Sequence, residues 1–137
     1  MSIRLGRCGA AALALLVWTA VSADNLEGEQ QFICSFAIAT VCTADGECEI
    51  GVPWSWNIPQ FIEVDLDKQT LSTTKASGEN RVSPVKNAER HDGAIFLQGV
   101  ERGRAYSFVI TEETGMVSVA VAREDISVAV FGACTPN

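Results

Sequence analysis

Between residues 94 and 131 apolar and polar positions alternate in short runs. The runs are AIFLQ (94–98), RAYSFVIT (104–111), MVSVAVA (116–122) and ISVAVF (126–131), and the residues between them are charged or glycine-containing. A period of two with turn signals every ~8–12 residues predicts antiparallel strands, each with one buried face. The turns fall at residues 99–103, 112–115 and 123–125. Gly115 closes the second of these, where a positive φ is needed.

Toward the N-terminus the pattern is less regular. In FICSFAIATVCTADGEC (32–48) both alternating sets are largely apolar. A strand buried on two sides or a short helix could produce this, and the β-branched content and the following turn favour the strand. Residues 49–59, EIGVPWSWNIP, hold two prolines and two tryptophans. Proline removes a ladder donor, so this stretch is expected to be an edge or a loop. Extended, it would put Trp54 and Trp56 on one face, either as a stacking platform for a flat ligand such as a sugar or as an aromatic lid over one end of the core. Large aromatics mostly serve burial, which favours the lid. Residues 60–66 and 70–74 read as a hairpin turning at Asp67-Lys68-Gln69. Residues 75–93 are the most polar stretch, expected to be a mobile connection with one weak strand around 81–86.

No segment after residue 23 carries a helical period. The expected fold is all-β: about eight antiparallel strands in a small up-and-down, calycin-like barrel with two disulfides, the alternative being a two-sheet sandwich. Closure would remove the exposed edges that template aggregation.

Residues 1–23 stand apart. Arg4 and Arg7 precede the apolar run AAALALLV (10–17), and Val21-Ser22-Ala23 offers small residues for cleavage, the pattern of a secretory signal peptide. The apolar run is shorter than the ~20 residues a membrane-spanning helix needs, so no stable membrane insertion is expected after cleavage. Cys8 would leave with the leader. Residues 24–137 then form a single β domain, periplasmic or secreted. All 17 acidic residues and 8 of the 10 basic ones lie there, a formal charge of −9. Such a surface repels phosphate backbones and argues against nucleic acid as a partner.

In an oxidising compartment the cysteines remaining after the leader, Cys34, Cys42, Cys48 and Cys134, form a disulfide framework with three possible pairings. The expected one joins Cys42 to Cys48 across a turn containing Asp45-Gly46, and Cys34 to Cys134 between the first and last strands. The spacings fit neither a CxxC zinc knuckle nor a thioredoxin-like motif. Neither metal nor cofactor is expected.

Catalytic machinery is hard to assemble from these residues. His91 is the one histidine, and it lies in the polar stretch between Arg90 and Asp92, both expected to be solvated. No serine sits in a nucleophile elbow, and no glycine-rich loop precedes a helix. Glu63 with Asp65, or Glu101 with Glu112, could formally supply paired carboxylates, but acidic residues are plentiful and Glu63 and Asp65 share the face of a strand that water would cover. Asp65 and Asp67 lack the further oxygen ligands of a calcium loop. The most distinctive segment is LQGVERGRAYSFVI (97–110), which gathers Gln98, Glu101, Arg102 and Arg104 around a tight turn ahead of Tyr106.

Four stretches, FxCSxxxxxxC-xxxxx-C from Phe32, LQGxExGRAYSxVI from Leu97, TGMVSVAV from Thr114 and VFGACTP from Val130, together resemble small exported β-proteins of alphaproteobacteria. The resemblance implies a periplasmic β-domain with two disulfides and carries no mechanism. Ser77-Gly78 and the late cysteine give a weaker likeness to periplasmic lysozyme inhibitors, which are also small disulfide-bonded β-barrels. The expected function is a non-catalytic binding module for an unidentified protein or small molecule. Trp54, Trp56, Arg104 and Tyr106 are the candidate contacts. The alternative is an inhibitor of a basic extracellular enzyme such as lysozyme.

Overall fold

The computed structural model describes residues 25–77 and 80–137. The leader expected at residues 1–23, including Cys8, lies outside the described residues, as does Gly78. The described chain is all-β. Its strands are β1 (Gln31–Thr43), β2 (Cys48–Gly51), β3 (Phe61–Asp65), β4 (Thr70–Thr73), β5 (Val82–Pro84), β6 (Asn87–His91), β7 (Ala94–Glu101), β8 (Arg104–Thr111), β9 (Met116–Arg123) and β10 (Ile126–Pro136). They form one antiparallel sheet in the order β5-β4-β3-β1-β10-β9-β8-β7-β6, with β2 also paired to β1.

That order explains the sheet's shape. Its two edge strands, β5 and β6, are consecutive in sequence, with only Val85 and Lys86 between them. Three Cα steps span at most ~11 Å, so the sheet must curl until its edges nearly meet. The linking residues serve both edges: Val85 N–H donates to Gln69 O ahead of β4, and Lys86 N–H donates to Gln98 O of β7 (2.8 Å each). The result is an up-and-down half-barrel open along the β5–β6 seam.

β1 is the hub. Its whole length pairs with β10, from Phe32↔Pro136 to Thr43↔Ile126. Its other edge is divided between β3 and β2. Both disulfides join directly opposed residues of these ladders: Cys34–Cys134 across β1 and β10, Cys42–Cys48 across β1 and β2. This is the expected pairing.

A bulge between Phe36 and Ile38 interrupts the β1–β10 register. Before it Phe32, Cys34 and Phe36 face inward; after it Ala39 does, while Ile38 turns out to solvent. One extra residue moves every later side chain to the other face. Gly132 lies opposite, where a Cβ would sit 1.9 Å from Ser35 O.

The described part of the polar stretch 75–93 is largely ordered structure and not the connection expected. It forms a short 3-10 turn (Lys75–Ser77) and the strands β5 and β6. Polarity misleads there because both are edge strands with few inward positions. The 99–103 turn is also shorter than expected. β7 runs through Gly99 to Glu101, leaving Arg102-Gly103 as a two-residue turn with φ of 47° and 73°. Asp92-Gly93 makes the same turn between β6 and β7, with φ of 48° and 74°, the mirror-image hairpin turn whose twist suits the strands.

Candidate functional site at the open end of the sheet

The two ends of the half-barrel differ. At one, Phe32, Cys34, Ile95, Ile110, Val117 and Cys134 pack together, and the chain ahead of β1 plugs the end with Leu26, which is fully buried. Leu26 N–H donates to Glu112 O. The Arg90 side chain donates to Leu26 O, Glu29 O and the Glu112 carboxylate. Arg90 is therefore half-buried and engaged, not solvated as expected, because the N-terminal segment folds back over it.

At the other end the inward positions run out of partners. Along β9, Val117 and Val119 are buried, Val121 is half-buried and Arg123 is exposed. β10 shows the same gradient from Val130 through Val128 to Ile126. These apolar positions surround a cavity of about 470 Å³, within the usual range of ~300–1,000 Å³ for small-ligand sites. Its inner end is built by Phe36 and Phe108, edge-to-face at 6.2 Å, with Tyr106 edge-to-face on Phe108 at 5.9 Å. Ile62 and Leu71 of β3 and β4 line the wall beside Arg81 and Ser83, on the β5 side of the seam.

Residues 52–60 carry the chain from β2 to β3 and supply the remaining side. Pro53–Trp56 is a 3-10 turn, so Trp54 and Trp56 do not share a face as they would in an extended chain. Trp56 lines the cavity with Ile58, its ring over Gly51, where a Cβ would lie 3.0 Å from it. Trp54 points away and is 52% exposed. Of the four candidate contacts, Trp56, Arg104 and Tyr106 come together and Trp54 does not.

The seam is bridged by polar groups. Arg81 donates to Glu101 at 3.1 Å, and Tyr106 donates to Pro84 O at 2.5 Å. Burial alone would raise the Glu101 carboxyl. Hydrogen bonds from Ser83 and Arg81, with the charges of Arg81 and Arg102, outweigh it and hold the group below its ordinary value. Burial, then the Glu101 charge, pushes the Tyr106 phenol up.

Of the carboxylate pairs considered from sequence, Glu101 and Glu112 do not meet. Glu101 and Glu112 lie at opposite ends of the β7–β8 region and pair with different arginines, Arg81 and Arg90. Asp65 accepts from Gln31 and Lys68. His91 closes β6 at the plugged end, exposed, 3.1 Å from Asp92. Among the described residues no three His, Cys, Asp or Glu side chains are grouped to hold a metal ion, and no helix is long and apolar enough to cross a membrane.

Sequence reasoning missed Arg81, Ser83 and Arg123 as cavity residues. The inward register of Phe108, Tyr106 and Arg104 was readable, since they alternate along one strand; the residues across the seam required the closure itself. No protein-family model matches the chain, and no curated protein matches it either.

Proposed function

We propose that this is an exported, non-catalytic binding module that takes a small, largely apolar ligand into the open end of its curled sheet. One observation carries the reading: inward positions of β9 and β10 stay apolar through Val121 and Ile126, close to the strand ends, and among the described residues they face a cavity and not packed side chains. Apolar surface left facing a cavity is stabilised by a ligand that fills it. The signal-like leader and the two disulfides support export to the periplasm or beyond.

Titration with an environment-sensitive apolar dye tests this. Saturable binding of one equivalent is expected, with a change in Trp56 fluorescence in a Trp54→Phe background. Val128→Trp, which fills the mouth, should abolish it while the circular dichroism spectrum stays that of a β-protein. Absence of saturable binding by the folded protein overturns the reading.

A second reading is inhibition of a basic enzyme such as lysozyme. Asp45, Glu47 and Glu49 on the β1–β2 hairpin lie near Glu124 and Asp125, because Ala44 N–H donates to Asp125 O at 3.1 Å. The Asp45 carboxyl is held low by hydrogen bonds from the Thr43 hydroxyl and the Glu47 amide. A concentrated negative tip attracts a cationic protein. Lysozyme activity unaffected by excess protein at low salt removes this reading.

A further inference from the structure

The arginines at the mouth are the part of the wall that a purely apolar ligand leaves unexplained. β8 and β9 pair through Ala105↔Ala122, whose side chains face solvent. One position further, Arg104 and Arg123 stand opposite each other on the cavity side. Like charges in opposed positions of an antiparallel pair repel, so anionic charge placed between them is stabilising.

Of the neighbouring carboxylates, one is taken by Arg81 and the other serves Arg123, and neither reaches Arg104. Glu101 faces Arg104 in the β7–β8 ladder, yet it is held by Arg81 at 3.1 Å and by Ser83. Arg123 Nε donates to Asp125 at 3.1 Å. Among the described residues the Arg104 side chain has no hydrogen-bond or ion-pair partner. A half-buried guanidinium beside an apolar cavity, with its planar set of donors unoccupied, is a receptor for a small anion.

We infer that the ligand is a single-chain amphiphile with a terminal carboxylate. This rests on the cavity reading above. The tail lies against Phe36, Phe108, Val119 and Val130, and the carboxylate accepts two hydrogen bonds from Arg104, with Arg123 adding charge. One uncommitted guanidinium matches one negative charge. The second charge of a phosphate monoester would stand beside Glu101. The cavity of about 470 Å³ holds roughly fifteen water-sized units, and a methylene takes up similar room, so chains of about 10–14 carbons fit.

The full-length protein, loaded with the apolar dye, is challenged with decanoate, 1-decanol and decyl phosphate below their aggregation limits. Decanoate is expected to displace the dye at a concentration at least about tenfold lower than decanol, a margin that narrows with added salt. Arg104→Met should erase the margin by weakening decanoate alone. Arg104→Lys, which keeps the charge without the planar fork, should retain part of it and serves if the methionine variant does not fold. Equal displacement by decanoate and decanol, or a margin unchanged in both variants, overturns the carboxylate site and leaves the apolar cavity standing. Tighter binding of decyl phosphate overturns the choice of head group. If the folded protein binds neither dye nor chain, both readings fall.

Discussion

Tyr106 donates its phenolic hydrogen to the carbonyl oxygen of Pro84, 2.5 Å away across the gap between the two edges of the sheet. No ladder joins β5 to β7, so this bond and the Arg81–Glu101 pair do the work of a missing strand pairing. The tyrosine reaches Pro84 because its ring lies over Gly99, its direct partner in the β7–β8 ladder. A Cβ on Gly99 would fall 2.3 Å from the hydroxyl oxygen.

Tyr106→Phe keeps the ring and removes the bond. It is expected to cost about 1 kcal/mol, lowering Tm by about 4–8 °C. Gly99→Ala displaces the whole ring and should cost more, about 1–3 kcal/mol. Thermal melts of both variants check the order, and a smaller loss for Gly99→Ala would contradict the stacking.

The seam should weaken at both extremes of pH. Glu101 has a lowered carboxyl pKa, so its contribution is present above the unfolded value and is lost as pH falls through the folded one. Tyr106 has a raised phenol pKa, so its contribution is present below the unfolded value, near 10, and is lost as pH rises through the folded one. Urea midpoints measured across pH should therefore fall on either side of neutrality. Glu101→Gln should flatten the acid limb specifically, and an unchanged acid limb would count against the assignment.

Much of this architecture was legible in the chain, and the gaps have physical causes. Strands β7 to β10 bury one face each, so their alternation reports both strand and orientation. β1 conceals its bulge because Ile38 and Ala39 are both apolar, and no pattern says which one turns inward. Arg81 reads as one more charge in a polar stretch, since its partner Glu101 comes alongside only when the sheet curls. Trp56 and Trp54 are equivalent in sequence, and the 3-10 turn separates them.

Gly132 allows the bulge in β1. Gly132→Ala would drive a methyl group into the Ser35 carbonyl oxygen at 1.9 Å, a backbone atom, with no flexible side chain to give way. A loss of about 3 kcal/mol or more is expected. Its urea midpoint should drop well below that of Ala133→Gly, a change at the neighbouring exposed position. Equal midpoints would show that the ladder shifts freely.

The two disulfides should contribute unequally. Cys34–Cys134 closes a loop with a sequence separation of 100, and Cys42–Cys48 one of 6. The chain-entropy relation gives about 4.7 kcal/mol for the long closure and roughly half that for the short one. Paired alanine substitutions, compared by urea unfolding without reductant, should reproduce that order. A larger loss from the short bridge would mean that its hairpin, rather than the unfolded chain, sets its worth.

Joining the first strand to the last also imposes a schedule on maturation. In the export proposed above, with the polypeptide emerging N-terminus first into an oxidising space, Cys42 and Cys48 arrive together and can oxidise at once, whereas Cys34 waits as a free thiol for a partner 100 residues downstream. Throughout that interval it can attack the completed bridge by thiol exchange, and the β1 edge that β10 will cover stands exposed to other chains. Arrival of the final few residues then decides whether Cys34 finds its native partner or a scrambled one.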